Sequence, residues 1–84
     1  MPKISSALER QLRDSPDETF DLIVRTDGDV SPHLKWLASE GIQVKRQFRL
    51  TPGIAVSCRG QDALRLKAAN WVVSIELDAP VKAL

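Results

Sequence analysis

The C-terminal residues carry the side chains whose types and spacing most clearly suggest a chemical role. A strand-like segment, residues 71–77, is followed within three residues by Pro80. Proline lacks a backbone donor and disfavours helix at the preceding residue, so the chain around Pro80 is predicted to be extended. Val81 and Leu84 then place apolar side chains three positions apart. Such a peptide fits a cleft that adds extended chain as a strand and binds side chains in pockets; the alternative is a frayed terminus without function.

Residues able to act as a nucleophile or a general base are few and are not grouped. The sequence contains one histidine, His33, and one cysteine, Cys58. Ser31 lies two residues before His33, but its hydroxyl is better placed to cap a helix that begins there. We expect His33 to be an exposed helix residue and Cys58 to be a small buried residue in a strand. The sequence has no Gly-x-Ser-x-Gly turn, no paired metal ligands and no glycine-rich phosphate loop. We therefore predict neither an enzyme nor a metal or cofactor site.

The composition indicates a single small globular domain, residues 1–84. Its apolar fraction of 43% is ordinary for a folded protein, although 84 residues are near the lower limit for a self-sufficient core. A single cysteine excludes an internal disulfide and is compatible with a reducing compartment. No apolar run approaches the roughly 20 residues of a membrane span, and the first residues do not resemble a signal peptide. As written, the sequence predicts a soluble, cytoplasmic protein without a membrane partner.

Three helices are predicted, at residues 4–15, 31–40 and 61–69. The first is expected to begin with a capping box, the second with a serine cap and proline, and the second and third to end in the left-handed region. The residues expected at these ends are Ser6 with Glu9, Ser31 with Pro32, Gly41 and Asn70. The residues expected to be buried are Ile4, Leu8, Leu12, Leu34, Leu37, Ala38, Leu64, Leu66 and Ala68.

Four strands are predicted, at residues 19–26, 42–50, 54–58 and 71–77. Two right-handed crossovers around a hairpin would give an antiparallel sheet with two helices on one face, a ferredoxin-like βαββαβ α+β sandwich with an extra N-terminal helix. The core side chains expected from alternation are Phe20, Leu22, Val24, Ile42, Val44, Phe48, Leu50 and Trp71. Ile23, Ala55 and Val72 are expected on the other, uncovered face, which would then be a partner surface.

Five segments occur in a characteristic order: DLIV at 21–24, GIQV at 41–44, QFRL at 47–50, GIAV at 53–56 and VVSIELD at 72–78. The order and spacing of these segments, and the six residues that follow Asp78, make the chain resemble the propeptides of subtilisin-like serine proteases and their free-standing relatives, the inhibitor-I9 family. The resemblance covers the α+β core, residues 19–78, and the tail, residues 79–84. The helix at 4–15 is similar to a lead-in found before some bacterial propeptides of this class.

The resemblance implies a partner and a site. The open sheet face would dock on paired helices of a subtilisin-like protease, and the tail would lie in its active site like a cleaved product. Glu76 and Asp78 stand where the family's acids approach the N-termini of those helices, which favour carboxylates. The implied subsite residues, from the primary specificity pocket outward, are Leu84, Ala83, Lys82 and Val81.

The implied function is inhibition of a subtilisin-like serine protease, with assistance to its folding as a second role. No protease follows Leu84 in this sequence and no secretion signal precedes it, so we expect a monomeric inhibitor acting in trans. An excised propeptide, which would be secreted, is the alternative.

Two other functions are open. Some proteins with a ferredoxin-like sheet bind RNA, and four basic residues cluster around the predicted hairpin: Lys45, Arg46, Arg49 and Arg59. However, the third strand has no aromatic residue on which a base could stack, and a solvated strand face explains the bases better. A regulatory module that pairs its sheet with another protein is the second alternative.

Overall fold

A four-stranded antiparallel sheet organises the chain in the computed structural model, which describes residues 3–78. The strands are β1 (Thr19–Thr26), β2 (Gln43–Gln47), β3 (Gly53–Arg59) and β4 (Val72–Leu77), in the spatial order β2-β3-β1-β4. The helices are α1 (Ser6–Asp14), α2 (Leu34–Ser39), which follows a 3-10 turn at Ser31–His33, and α3 (Gly60–Lys67). None of the helices between residues 3 and 78 has the length and apolar run needed to cross a bilayer. The element and strand orders confirm the predicted ferredoxin-like α+β fold.

One face of the sheet packs against the helices and forms the core. Alternation in β1 directs Leu22 and Val24 to this face, where they pair with Val56 and Ile54 of β3. All four side chains are fully buried, and each contributes about 1.5–3 kcal/mol of apolar burial. The helices add Leu8, Leu12, Leu37, Ala63 and Leu66 to this core, and strand and loop residues complete it with Ile4, Val30, Ile42, Cys58, Val72 and Ile75.

Helix α1 begins one residue earlier than the predicted capping box requires. The hydroxyl of Ser5 accepts a hydrogen bond from the Leu8 backbone N–H at 3.1 Å, so Ser5 is the cap and the box of Ser6 with Glu9 is wrong. Glu9 instead contacts Lys67 of α3 at 3.0 Å, and this hydrogen bond is the main cause that lowers the Glu9 pKa. Leu8 is buried, as the helical spacing predicted, and so are Ile4 and Leu12.

The residues before α1 fasten the N-terminus to the rest of the fold. The Lys3 carbonyl accepts a hydrogen bond from the Ile75 N–H at 2.8 Å, and Ile4 forms a parallel bridge with Ile75. The Lys3 ammonium donates to the carbonyls of Lys67 and Ala69, at 3.1 and 2.6 Å. These carbonyls lie at the C-terminal end of α3, where a cation is favoured by the helix dipole. Lys3 therefore joins β4 and α3.

Strand β2 is shorter than predicted because it contains a bulge. The pairing with β3 shifts between Val44 and Arg46, which inserts one extra residue and reverses the face of every later side chain. Residues 48–52 then form a loop instead of continuing the strand to residue 50. Leu50, predicted to be in the core, is 99% exposed, and Phe48 is only partly buried.

The expected position of Val72 on the uncovered face is wrong, because the pairing of β4 with β1 contains a second bulge. The pairing between β1 and β4 shifts after Arg25, so that Val72 pairs with Thr26 on the helix-facing side and is 2% exposed. Val72 therefore belongs to the core, whereas the expectation that Ile23 and Ala55 share the uncovered face is confirmed by their direct pairing.

The predicted buried stripes of α2 and α3 are only partly correct. Leu37 and Leu66 are fully buried, but Ala38 and Ala68 are exposed. The buried face of α3 runs through Asp62, Ala63 and Leu66, at the spacing of three to four residues that a helix face requires, and Ala68 follows the end of this helix. Partly buried positions are Leu34, Leu64 and Trp71, and α3 adds Asp62 and Ala63 to the buried set.

The helix ends also differ from the pattern. The Asp29 carboxylate accepts hydrogen bonds from the Ser31 backbone N–H at 3.0 Å and from its hydroxyl at 2.8 Å, so Ser31 does not cap α2. These bonds lower the pKa of Asp29. Gly41 has φ of 77°, which confirms the left-handed exit, but Asn70 does not adopt a positive φ. The chain leaves α3 through a right-handed cap at Ala68 instead.

Candidate functional site

The face of the sheet opposite the helices carries the site predicted from the sequence. Arg46, Ala55, Ile23 and Glu76 are consecutive register partners and form one row across all four strands. We call this surface the open face. The residues that strand register and alternation place on it include Asp21, Ile23, Arg25, Gln43, Arg46, Phe48, Ala55, Ser57, Ser74, Glu76 and Asp78.

The apolar part of the open face is smaller than the sequence suggested. Ala55 is fully buried although no helix covers it, and Ile23 is half-buried. The Arg46 guanidinium carbon lies 5.8 Å from the Phe48 ring centroid, a cation–π distance. A Cβ at Gly53 would lie 3.0 Å from the Phe48 ring and 2.9 Å from a backbone oxygen, so only glycine allows the ring this position. Arg46 and Phe48 thus cover part of the sheet themselves.

The two predicted docking carboxylates are both at this face, but their surroundings differ. The Asp78 backbone N–H donates to the Asp21 carbonyl at 2.9 Å, which extends the sheet by one residue beyond β4. Asp78 Oδ2 lies 3.9 Å from Arg46 Nη2, and Asp21 Oδ1 lies 3.2 Å from Lys45 Nζ. Glu76 is exposed and has no cation within 4.0 Å among residues 3–78. Glu76 is therefore the more available of the two acids.

The predicted subsite residues Val81, Lys82, Ala83 and Leu84 lie outside the described residues. Asp78, the last described residue before them, lies at the end of the open face where β4 ends. The structure thus brings Glu76 and Asp78 together on the open face.

Each edge of the sheet carries one feature that hinders pairing with another strand. At one edge, the bulge in β2 places Lys45 and Arg46 side by side, and bulges and bases both disfavour strand addition. At the other edge, Lys3 and Ile4 occupy the outer side of β4 at Ile75. A partner that binds the sheet is therefore expected to approach the open face.

An aromatic cluster that sequence reasoning missed lies between the start of α2 and the start of β4. The His33 ring stacks on Trp71, with centroids 4.1 Å apart and an interplanar angle of 5°, and Trp36 meets Trp71 edge-on at 6.0 Å. The expectation that His33 is exposed is wrong, because its ring is half-buried by this stacking. Neither tryptophan lies on the open face, which leaves Phe48 as its single aromatic residue within residues 3–78.

Cys58 has the environment of a structural thiol. It is 4% exposed, and burial, with a smaller effect of the Asp62 carboxylate, raises its pKa to about 12. The reactive thiolate is therefore scarce at neutral pH. Within the described range, no group of three or more histidine, cysteine, aspartate or glutamate residues could hold a metal ion.

Comparison with known proteins identifies no family for this chain. No known family model matches it, and none of the curated proteins compared with it is significantly similar.

Proposed function

We propose that this chain inhibits a subtilisin-like serine protease, binding it through the open face and placing residues 81–84 in its substrate subsites. The observation that carries the proposal is the position of Glu76 and Asp78. Both lie at the end of β4 on a sheet face that no helix covers, next to the point where the tail begins. The sequence resemblance described above supplies the class of protease.

The open face suits a partner that presents helix N-termini. A carboxylate near the unpaired amides of such a terminus gains about 0.3–1 kcal/mol, and up to about 2 kcal/mol where it is partly buried. Glu76 is free to make this contact within residues 3–78, whereas Asp78 must first leave Arg46. An exposed ion pair contributes about 0–1 kcal/mol. The free energy that Asp78 loses on leaving Arg46 is therefore similar to the free energy that it gains at the helix N-terminus.

The tail supplies the part of the interface that blocks catalysis. An extended segment that enters a substrate cleft adds backbone hydrogen bonds and fills pockets with alternate side chains. Leu84 and Val81 would each contribute about 1.5–3 kcal/mol of apolar burial, offset in part by the ordering of the segment.

An inhibition assay tests the proposal. The 84-residue chain is titrated against subtilisin and against a cytoplasmic subtilase, beside a variant that lacks residues 81–84 and the variant Leu84→Asp. We expect both changes to weaken inhibition by roughly thirtyfold or more, because apolar burial in the pockets is lost. Arg10→Gln, at an exposed position of α1 outside the tail and the open face, is the control. A folded full-length chain that does not inhibit at micromolar concentration refutes the proposal.

The second candidate is a module whose open face pairs with another protein or with nucleic acid. Phe48 beside Arg46 is the observation that favours it, because an aromatic ring and a guanidinium are the groups that stack on bases. Filter binding to single-stranded RNA and sedimentation of the free chain test this candidate. Tight RNA binding, or a dimer at micromolar concentration, would favour it over inhibition.

A further inference from the structure

The loop between β2 and β3 exposes an apolar side chain on a fixed backbone. We call residues 48–52 the hairpin tip. The Phe48 N–H donates to the Gly53 carbonyl at 3.0 Å, and the Pro52 carbonyl accepts from the Thr26 N–H at 3.2 Å. Leu50, between these anchors, is 99% exposed, more than any other large hydrophobic residue of the described chain. The anchors keep this side chain away from the core.

One side of Leu50 is basic, whereas Asp29 lines a second cleft, of about 300 Å³, on its other side. On the basic side lies a shallow cleft of about 350 Å³, and its charged residues are Arg25 and Arg49. Neither arginine has a carboxylate within 4.0 Å among residues 3–78, and no acid occurs in the sequence from 41 to 61. Arg25 Nη1 lies 3.4 Å from the Thr51 hydroxyl, which holds one guanidinium against the loop. The cleft is lined by Arg25, Gln47, Phe48, Arg49, Leu50 and Thr51.

The cleft is continuous with the open face. Arg25 and Phe48 belong to both, and Arg25 lies four residues from Asp21, beside which Asp78 sits. Four residues of strand span about 13 Å. A standard interface covers about 800 Å² on each partner, or roughly 30 Å across. A partner that covers Asp78 and the open face therefore reaches the hairpin tip.

We infer that the hairpin tip is a second contact of the inhibitor–protease complex, at the opposite end of the open face from the tail. Leu50 is the apolar anchor, and Arg25 and Arg49 face acidic residues around a shallow apolar depression on the protease. This contact selects, among subtilisin-like proteases, those that carry acids at that place. The inference rests on the proposed function and adds the chemistry of the surface that the inhibitor prefers.

Inhibition kinetics of tip variants test the inference with a subtilisin-like protease that the parent chain inhibits. Leu50→Ser should weaken inhibition by about tenfold or more through faster dissociation, since one leucine loses its apolar burial. The double variant Arg25→Gln/Arg49→Gln should slow association by about threefold to tenfold at low salt, and the difference should shrink as salt is raised. Arg25→Lys/Arg49→Lys should restore most of the association rate, and Arg10→Gln/Lys35→Gln, which removes the same two charges from exposed positions of α1 and α2, is the control for charge alone.

The outcomes separate this inference from the proposed function. If the chain lacking residues 81–84 loses inhibition while all tip variants match the parent, the proposed function stands and the inference is wrong. If the parent inhibits no subtilisin-like protease, both are wrong. If the parent binds single-stranded RNA and the double arginine variant does not, the tip is a nucleic-acid site and the inference is overturned. Thermal unfolding of each variant, expected to match the parent, confirms that the fold is kept.

Discussion

Arg46 and Asp78 link the two edges of the sheet across its open face. Arg46 belongs to β2, Asp78 follows β4, and their side chains approach to 3.9 Å between Nη2 and Oδ2. The guanidinium of Arg46 is also held near the Phe48 ring. The carboxylate nearest the tail thus already has a cation beside it, and any partner that uses Asp78 competes with Arg46.

Replacement of Arg46 should therefore strengthen protease inhibition. Arg46→Gln removes the competing cation and is expected to lower the inhibition constant by up to about fivefold, the upper range for an exposed ion pair. Lys45→Gln is the matched control, because Lys45 pairs with Asp21 instead of Asp78. Weaker inhibition by Arg46→Gln alone would show that Arg46 contacts the partner directly.

The two acids should contribute unequally to binding. Glu76→Ala is expected to weaken inhibition more than Asp78→Ala, because Glu76 has no competing cation within residues 3–78. The cost for each should lie within about 0.3–2 kcal/mol, the range for a carboxylate at a helix N-terminus. Asp17→Ala, at an exposed position before β1, controls for net charge. Unchanged inhibition in the double variant Glu76→Ala/Asp78→Ala would exclude this docking surface.

The sequence pattern predicts those features that depend on neighbouring residues. The bounds of β1 match the prediction because its alternating side chains are flanked by turn-forming residues. The shared face of Glu76 and Asp78 follows from the same period of two. The single side chains of Leu8, Leu37 and Leu66 were likewise placed correctly in the core by helical spacing.

The errors arise where contacts distant in sequence decide the structure. The bulges that expose Leu50 and bury Val72 each depend on how one strand pairs with another, which an alternating pattern does not record. His33 stacks on Trp71, 38 residues later, so its burial is not visible in its own helix. Lys3 likewise acts through carbonyls at Lys67 and Ala69.

The contacts of Lys3 should stabilise the isolated domain. Lys3→Met keeps most of the apolar stem but removes the ammonium that donates to two carbonyls at the end of α3. Hydrogen bonds from a charged donor contribute about 1.5–3 kcal/mol when buried, and less here because the side chain is partly exposed. We expect a clearly lower melting temperature for Lys3→Met. Lys35→Met, at an exposed position in α2, is the control and should change it little.

Stability should decrease at alkaline pH through Cys58. Its pKa is raised to about 12 in the folded chain against 9.0 as the ordinary value, so between these values the folded state binds more protons than the unfolded state. The free energy of unfolding therefore falls as pH rises above 9.0, by at most about 1.4 kcal/mol per pH unit from this group. Urea unfolding of the parent and of Cys58→Ala at pH 7.5 and at about pH 10.5 measures this contribution as the difference in their pH dependence. Equal slopes in the two proteins would mean that the folded thiol ionises as readily as the unfolded one. That result would mean that burial of Cys58 among the core side chains of β3 and α3 does not raise the pKa of its thiol.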